Sequence, residues 1–152
     1  MGITFNRIPY GNLNSRQREA YNFQKVSAVL ADYGYITIRL SSDWGGADFI
    51  AQHCDGRTFL KIQLKSRLTF DEKYRRRDLY VCFPSGDEWF LYPHDELLEE
   101  VLRATNIPNT DSWKQHGAWS FPTISRALRE MLQPYRLVAE EARGITTGEP
   151  DA

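Results

Sequence analysis

Between residues 15 and 33, Phe23, Val26, Leu30 and Tyr33 recur at the spacing of one helix face. Asn14 or Ser15 supplies an N-cap, and Gly34 a stop, so a helix is expected over this stretch. The pattern then changes period. Residues 35–40 alternate with β-branched side chains and predict a strand, and 41–46 read as a loop. Two strand-like runs flank Asp55-Gly56, a dipeptide suited to a tight hairpin turn. With Asp55 and Gly56 as the loop, Cys54 faces Arg57, Phe49 faces Ile62 and Asp48 faces Gln63. Ala47, Phe49, Ala51, Leu60, Ile62 and Leu64 then share an apolar face, while Asp48, Gln52, Lys61, Gln63 and Lys65 share the other.

Further along, residues 69–78 are polar and read as a connection, and 79–83 and 88–92 are expected strands around a Pro84-Ser85-Gly86-Asp87 turn. Residues 95–104 carry Leu97, Leu98, Val101 and Leu102 at helical spacing. Residues 105–117 read as a loop, 118–121 as a short strand. A last helix follows, capped by Thr123 and ended by Pro134. Residues 143–152 are expected to fray. The order helix, strand, hairpin, strands, helix, helix predicts an α/β sandwich with a mixed central sheet, one domain over residues 1–142.

Composition narrows the function little. The 152 residues carry a net charge of −1, so attraction to a polyanion must come from local clusters rather than a global field. Two cysteines without a C-x-x-C pair, and no signal peptide, suggest a reduced cytoplasmic setting. No apolar run approaches the roughly 20 residues of a membrane span.

The candidate chemistry sits on the polar face of the hairpin. Opposed Cβ atoms on paired strands lie roughly 5 Å apart, close enough for Asp48 and Gln63 to share a cation. Phosphodiester hydrolysis needs an activated water and charge neutralisation, which a divalent metal held by oxygen ligands supplies, with a nearby lysine acting on the water or the phosphate. Asp48, Gln63 and Lys65 fit those needs. Glu19, one turn before Phe23 on the helix stripe, is a candidate outer ligand. The plainer reading is a capping Asp48, a solvated Lys65 and a Glu19 favoured by the helix dipole.

These residues resemble the active site of the PD-(D/E)XK, or restriction-endonuclease-like, nucleases. Gly46-Ala47-Asp48-Phe49-Ile50 followed by Gln63-Leu64-Lys65 is similar to the Gln-x-Lys variant of Mrr-type restriction enzymes and some homing endonucleases, as is the glycine-rich approach to Asp48. Glu19 matches the family's helical glutamate in position. Ala47 replaces the usual Pro, and Gln63 replaces an acid. The resemblance spans residues 15–92 and implies a restriction-endonuclease-like three-layer sandwich. It also implies an endonuclease acting on DNA with Mg²⁺ (Mn²⁺ as substitute) held by Asp48, Gln63 and Glu19, with Lys65 in the chemistry, and a homodimer for cutting both strands. The alternative is a decayed member of the same fold that binds nucleic acid or protein.

A basic run, Lys73 with Arg75, Arg76 and Arg77, follows the hairpin and could contact phosphates together with Lys61 and Arg67. The competing reading is a solvated loop balanced by Asp71, Glu72 and Asp78. Trp44 is a candidate base-stacking residue, while Tyr92, Trp113, Trp119 and Tyr135 are expected in the core or small clusters. His53, His94 and His116 lack zinc-ligand spacing.

Overall fold

The computed structural model describes residues 2–138, the side chains of Asp43 and Trp44 excepted. The expected tail therefore lies outside the described residues, as does any base-stacking role of the Trp44 side chain. Helix α1 (Ser15–Asp32) starts with a reciprocal cap: the Asn14 side chain accepts from the Gln17 N–H, and Gln17 reaches back to the Asn14 N–H. Gly34, at φ 83°, turns the chain out of the helix.

Strands β1 (Tyr35–Trp44), β2 (Ala47–His53), β3 (Phe59–Leu64), β5 (Leu79–Ser85), β6 (Glu88–Pro93) and β8 (Arg136–Leu137) form one six-stranded sheet in the order β1-β2-β3-β5-β6-β8. The β3–β5 pair is parallel and the other pairs are antiparallel. Short β4 (Thr69–Asp71) lies in the connection between the parallel strands and pairs with β7 (Ala118–Ser120) in a separate two-stranded ribbon. Helices α2 (His94–Ala104), α3 (Asp111–His116) and α4 (Arg126–Leu132) complete the described chain.

Side-chain alternation along the strands builds the layers. On β5 and β6, Cys82 and Trp89 pack with Val26, Leu30, Phe49, Ala51 and Ile62 under α1. Their neighbours Val81, Phe83, Phe90 and Tyr92 point to the other face, where they meet Leu97, Leu98 and Val101 of α2 and Leu128 and Leu132 of α4. Helices thus cover both faces of a mixed sheet, the expected three-layer α/β arrangement. Covering is uneven: Ile36, Ile38 and Phe59, which share a face with Gln52, stay exposed.

Several local expectations need correction. β1 continues to Trp44 instead of stopping at Leu40; a register irregularity after Arg39 lets it re-pair at Trp44 with Ala47, so the turn shrinks to Gly45 and Gly46. The polar stretch 69–78 contains β4, whose pairing comes from β7 and not from its own composition. The stretch 105–117 contains α3, capped by Thr110 and closed by Gly117 in the left-handed region at φ 61°. The cap of α4 is Ser125, which accepts from the Leu128 N–H, and not Thr123. Tyr33 leaves the buried stripe: its hydroxyl pairs with the backbone of Val138. Tyr92 is fully buried, and Trp113, Trp119 and Tyr135 pack against the α2-side core as expected.

Candidate active site

The β2–β3 hairpin sets the geometry. Its Cα partners are Phe49 with Ile62 and Ala51 with Leu60. The turn is wider than a two-residue loop. His53 N–H bonds to the Thr58 carbonyl, and the Asp55 carboxylate accepts from the N–H groups of Arg57 (2.7 Å) and Thr58 (2.9 Å) and from the Thr58 hydroxyl. The Thr58 and Arg57 backbone donors hold the Asp55 carboxyl down to about 2. The loop is widened by one residue on each side, so the pairing register is unchanged.

Phe49, Ala51 and Ile62 are buried in the α1-side core, whereas Ala47, expected on the same face, packs instead with Tyr74 and Leu79 where the strand turns at Gly46. Extending the register by one step sets Asp48 opposite Gln63. Asp48 Oδ2 accepts from the Leu64 N–H at 2.8 Å, which ties its carboxylate across the hairpin where the two strands end. The Asp48 charge also reaches the buried Cys82 thiol, whose pKa is raised first by burial and then by this carboxylate.

Gln63 lies beside Val81 of β5. Its Oε1 is buried and accepts no hydrogen bond from any described group. An amide oxygen shut away from water without a donor is costly, and such an atom calls for an unseen partner. A cation beside Asp48 would supply one, so these two oxygens fit a hard divalent metal. Lys65 follows one turn of pleat later. Its backbone N–H bonds to the Cys82 carbonyl, and its Nζ lies 5.6 Å from the centre of the Tyr74 ring. Lys73 Nζ lies 5.2 Å from the same ring, so Tyr74 gathers two ammonium groups at the mouth of the site.

Gly46 explains the glycines before Asp48. It adopts φ 90°, and a Cβ there would stand 2.8 Å from Leu79 Cδ1 and 3.4 Å from Tyr74 Cδ1. The close approach of the turn to Tyr74 and Leu79 therefore requires glycine.

Glu19 is placed differently. Helix α1 covers the opposite sheet face, and the Glu19 carboxylate turns to Arg39 at 3.4 Å, more than half exposed. It shares a surface cleft with Lys65. Among the described residues no group of three His, Cys, Asp or Glu side chains could hold a metal. Any metal set here therefore leans on the Gln63 amide oxygen beside the single carboxylate of Asp48.

The basic run divides. Arg75 is held in ion pairs with Glu72 and Glu99, both at 2.9 Å. Arg77 Nε donates to the Lys73 carbonyl at 2.7 Å, and Lys61 Nζ to the Arg77 carbonyl at 2.6 Å. Arg76 and Asp78 sit at positive φ, 62° and 54°, and the Arg76 N–H is caught by Asp95 Oδ2 at 2.9 Å. Lys61, Arg75 and Arg77 thus spend donors on shaping this loop. The side chains of Arg67, Lys73 and Arg76 are exposed, Lys73 lying 3.7 Å from Asp71.

No family profile and no curated protein matches the sequence. Among solved structures, the chain is similar to Hjc, a Holliday junction resolvase from the archaeal hyperthermophile Archaeoglobus fulgidus. That alignment has 20% identity and a TM-score of 0.37, and covers 46% of this chain and 74% of the resolvase. Among the described residues no helix is long and apolar enough to cross a membrane.

Proposed function

We propose that the β2–β3 hairpin end carries a divalent-metal phosphodiesterase site acting on DNA. The observation that carries this reading is the buried, unpartnered Gln63 Oε1 on the strand facing Asp48. Asp48 and Gln63 would hold Mg²⁺, or Mn²⁺ in its place, and Glu19 would join only if it left Arg39. The metal would neutralise phosphate charge and lower the pKa of a bound water. Lys65, restrained by Tyr74, holds a positive charge near the scissile phosphate and stabilises charge that develops there. Arg67, Lys73 and Arg76 add exposed positive charge, and Lys73 shares the Tyr74 ring with Lys65. In this reading the Gln-x-Lys resemblance to restriction-endonuclease-like nucleases extends to activity, and two copies act together to cut both strands.

A second reading, a nucleic-acid-binding module without catalysis, is favoured by the scarcity of carboxylates: among the described residues no acidic cluster of three exists. Nicking of supercoiled plasmid and of labelled branched, duplex and single-stranded DNA, with Mg²⁺, Mn²⁺ and chelator, separates the two. The nuclease reading expects metal-dependent cleavage that is abolished in Asp48→Ala. Lys65→Ala should lose turnover far more than affinity, and cleavage should be kept or improved in Gln63→Glu. Cleavage indifferent to chelator or to Asp48→Ala defeats the mechanism. No cleavage of any substrate favours the module.

A further inference from the structure

A second feature lies next to this hairpin end but on the α1 side of the sheet. A cleft of about 960 Å³ opens between one side of α1 from Ser15 to Val29, Leu64 at the end of β3 with Lys65 and Ser66 beyond it, and the β5–β6 turn, with Trp89 in its wall. That volume falls within the range of ligand-binding clefts. Its wall alternates aromatic rings with cations. Tyr10 and Tyr21 meet edge to face at 5.3 Å and are 42% and 41% exposed, so both rings keep free surface. The Arg18 guanidinium lies 5.3 Å from the Tyr10 centre, and Lys25 Nζ 5.3 Å from the Tyr21 centre.

Arg18 is held in place, since one terminal nitrogen donates to the Gly11 carbonyl at 2.9 Å, yet its Nε is buried without an acceptor among the described residues. A guanidinium fixed in the cleft wall in this way is suited to an anion through its remaining terminal donors. Glu19, the acid lining the helix side, is already engaged by Arg39. Lys65 lines the opposite end. Rings that can stack on bases, interleaved with cations that can meet the intervening phosphates, make up the chemistry of single-strand recognition.

We propose that this cleft binds an unpaired stretch of nucleic acid, with bases on Tyr10 and Tyr21 and phosphates on Arg18, Lys25 and Lys65. The binding rests on the cleft alone. Only its link to cleavage, through Lys65, rests on the nuclease reading, and it would then direct the enzyme to substrates with single-stranded segments.

The test is fluorescence anisotropy of the full chain with labelled oligothymidylate, oligouridylate and blunt duplex DNA, all in chelator so that no metal contributes. Both single strands should bind about tenfold or more tighter than duplex, and the tighter of the two identifies DNA or RNA as the source. Tyr21→Ala should weaken binding about tenfold. Lys25→Gln should lower the slope of log affinity against log salt by roughly 0.7. Both positions are exposed, so folding should survive and is checked by thermal melting. Lys114→Gln, an equal charge change on α3 outside the cleft, should leave affinity unchanged. Equal or tighter duplex binding overturns the proposal, as does single-strand affinity indifferent to Tyr21→Ala and Lys25→Gln. If these variants bind normally while plasmid nicking persists, the cleft reading fails and the nuclease stands. If single strands bind through these residues but nothing is cleaved, the cleft stands and the nuclease reading fails.

Discussion

Replacing Gln63 by Met separates the cost of the site from its use. Gln63 Oε1 is buried without a described donor, and an unsatisfied buried acceptor costs about 1–3 kcal/mol. Methionine has nearly the same length and reach but no polar atom, so Gln63→Met should remove that penalty and keep the packing against Val81. In chelator the variant should be more stable than the wild type by about 1–2 kcal/mol. For a domain of this size each kcal/mol moves Tm by about 2–4 °C. With metal the order should reverse. A ligand that binds only the native state at one hundred times its Kd stabilises by about 2.7 kcal/mol, so saturating Mn²⁺ should raise the wild-type Tm and leave Gln63→Met nearly unmoved. Calorimetric melts of both proteins, in chelator and across a Mn²⁺ titration, measure the four values. A Gln63→Met protein that melts lower than wild type in chelator would refute the reasoning, because Oε1 must then already have a partner. Equal Mn²⁺ shifts in both proteins would refute the metal assignment.

Three further outcomes follow from the packing. His94 is fully buried; its Nδ1–H donates to Asp95 at 2.8 Å and its Nε2 accepts from the Asp71 N–H at 3.1 Å, a pattern only the neutral ring can make. Burial lowers its pKa in the fold. The unfolded chain therefore takes up the proton first as pH falls below about 6.5, so stability present above that pH should decline below it, and His94→Gln should flatten this part of a urea-denaturation pH profile. Gly46→Ala should cost about 1–3 kcal/mol in a denaturant melt, since its φ of 90° and the 2.8 Å approach of Leu79 leave a methyl group no room. Arg75→Ala should lower stability while leaving the salt slope of DNA binding unchanged, whereas Arg76→Ala should do the opposite, lowering the slope by roughly 0.9; equal slopes for both variants would return Arg76 to a purely structural role.

The hairpin was readable because its determinants are local. Asp55-Gly56 marks the turn, and alternation fixes which residues share a face, so even a loop wider than expected left Phe49 opposite Ile62. The same holds for α1, whose cap and stop are adjacent in sequence to the helix they bound. What escaped depends on residues far along the chain. Nothing in Thr69-Phe70-Asp71 marks a strand until Ala118–Ser120 lies beside it. Glu19 matched a position and a helix face, but its partner Arg39 arrives on β1, and pairing of charges on a packed surface has no periodicity to read. The division of the basic run was hidden for the same reason, since Glu99 and Asp95 of α2 decide which arginine is engaged. The unpartnered amide oxygen of Gln63 is legible only once β5 lies beside its strand.

The β4–β7 ribbon also bears on the order in which the chain can assemble. The hairpin that carries Asp48 and Gln63 needs only neighbouring sequence, so it can form early as the polypeptide leaves the ribosome. Tyr74, the ring beneath Lys65, follows directly after β4, and β4 has no edge to pair with until Ala118–Ser120 has been synthesised. The Glu72 N–H likewise waits for the carbonyl of Gly117. A nascent or truncated chain ending before β7 would therefore present the hairpin acid and amide without a settled wall behind the lysine. In the proposed metal-site reading, competence of the hairpin end is therefore coupled in time to completion of the C-terminal third of the fold.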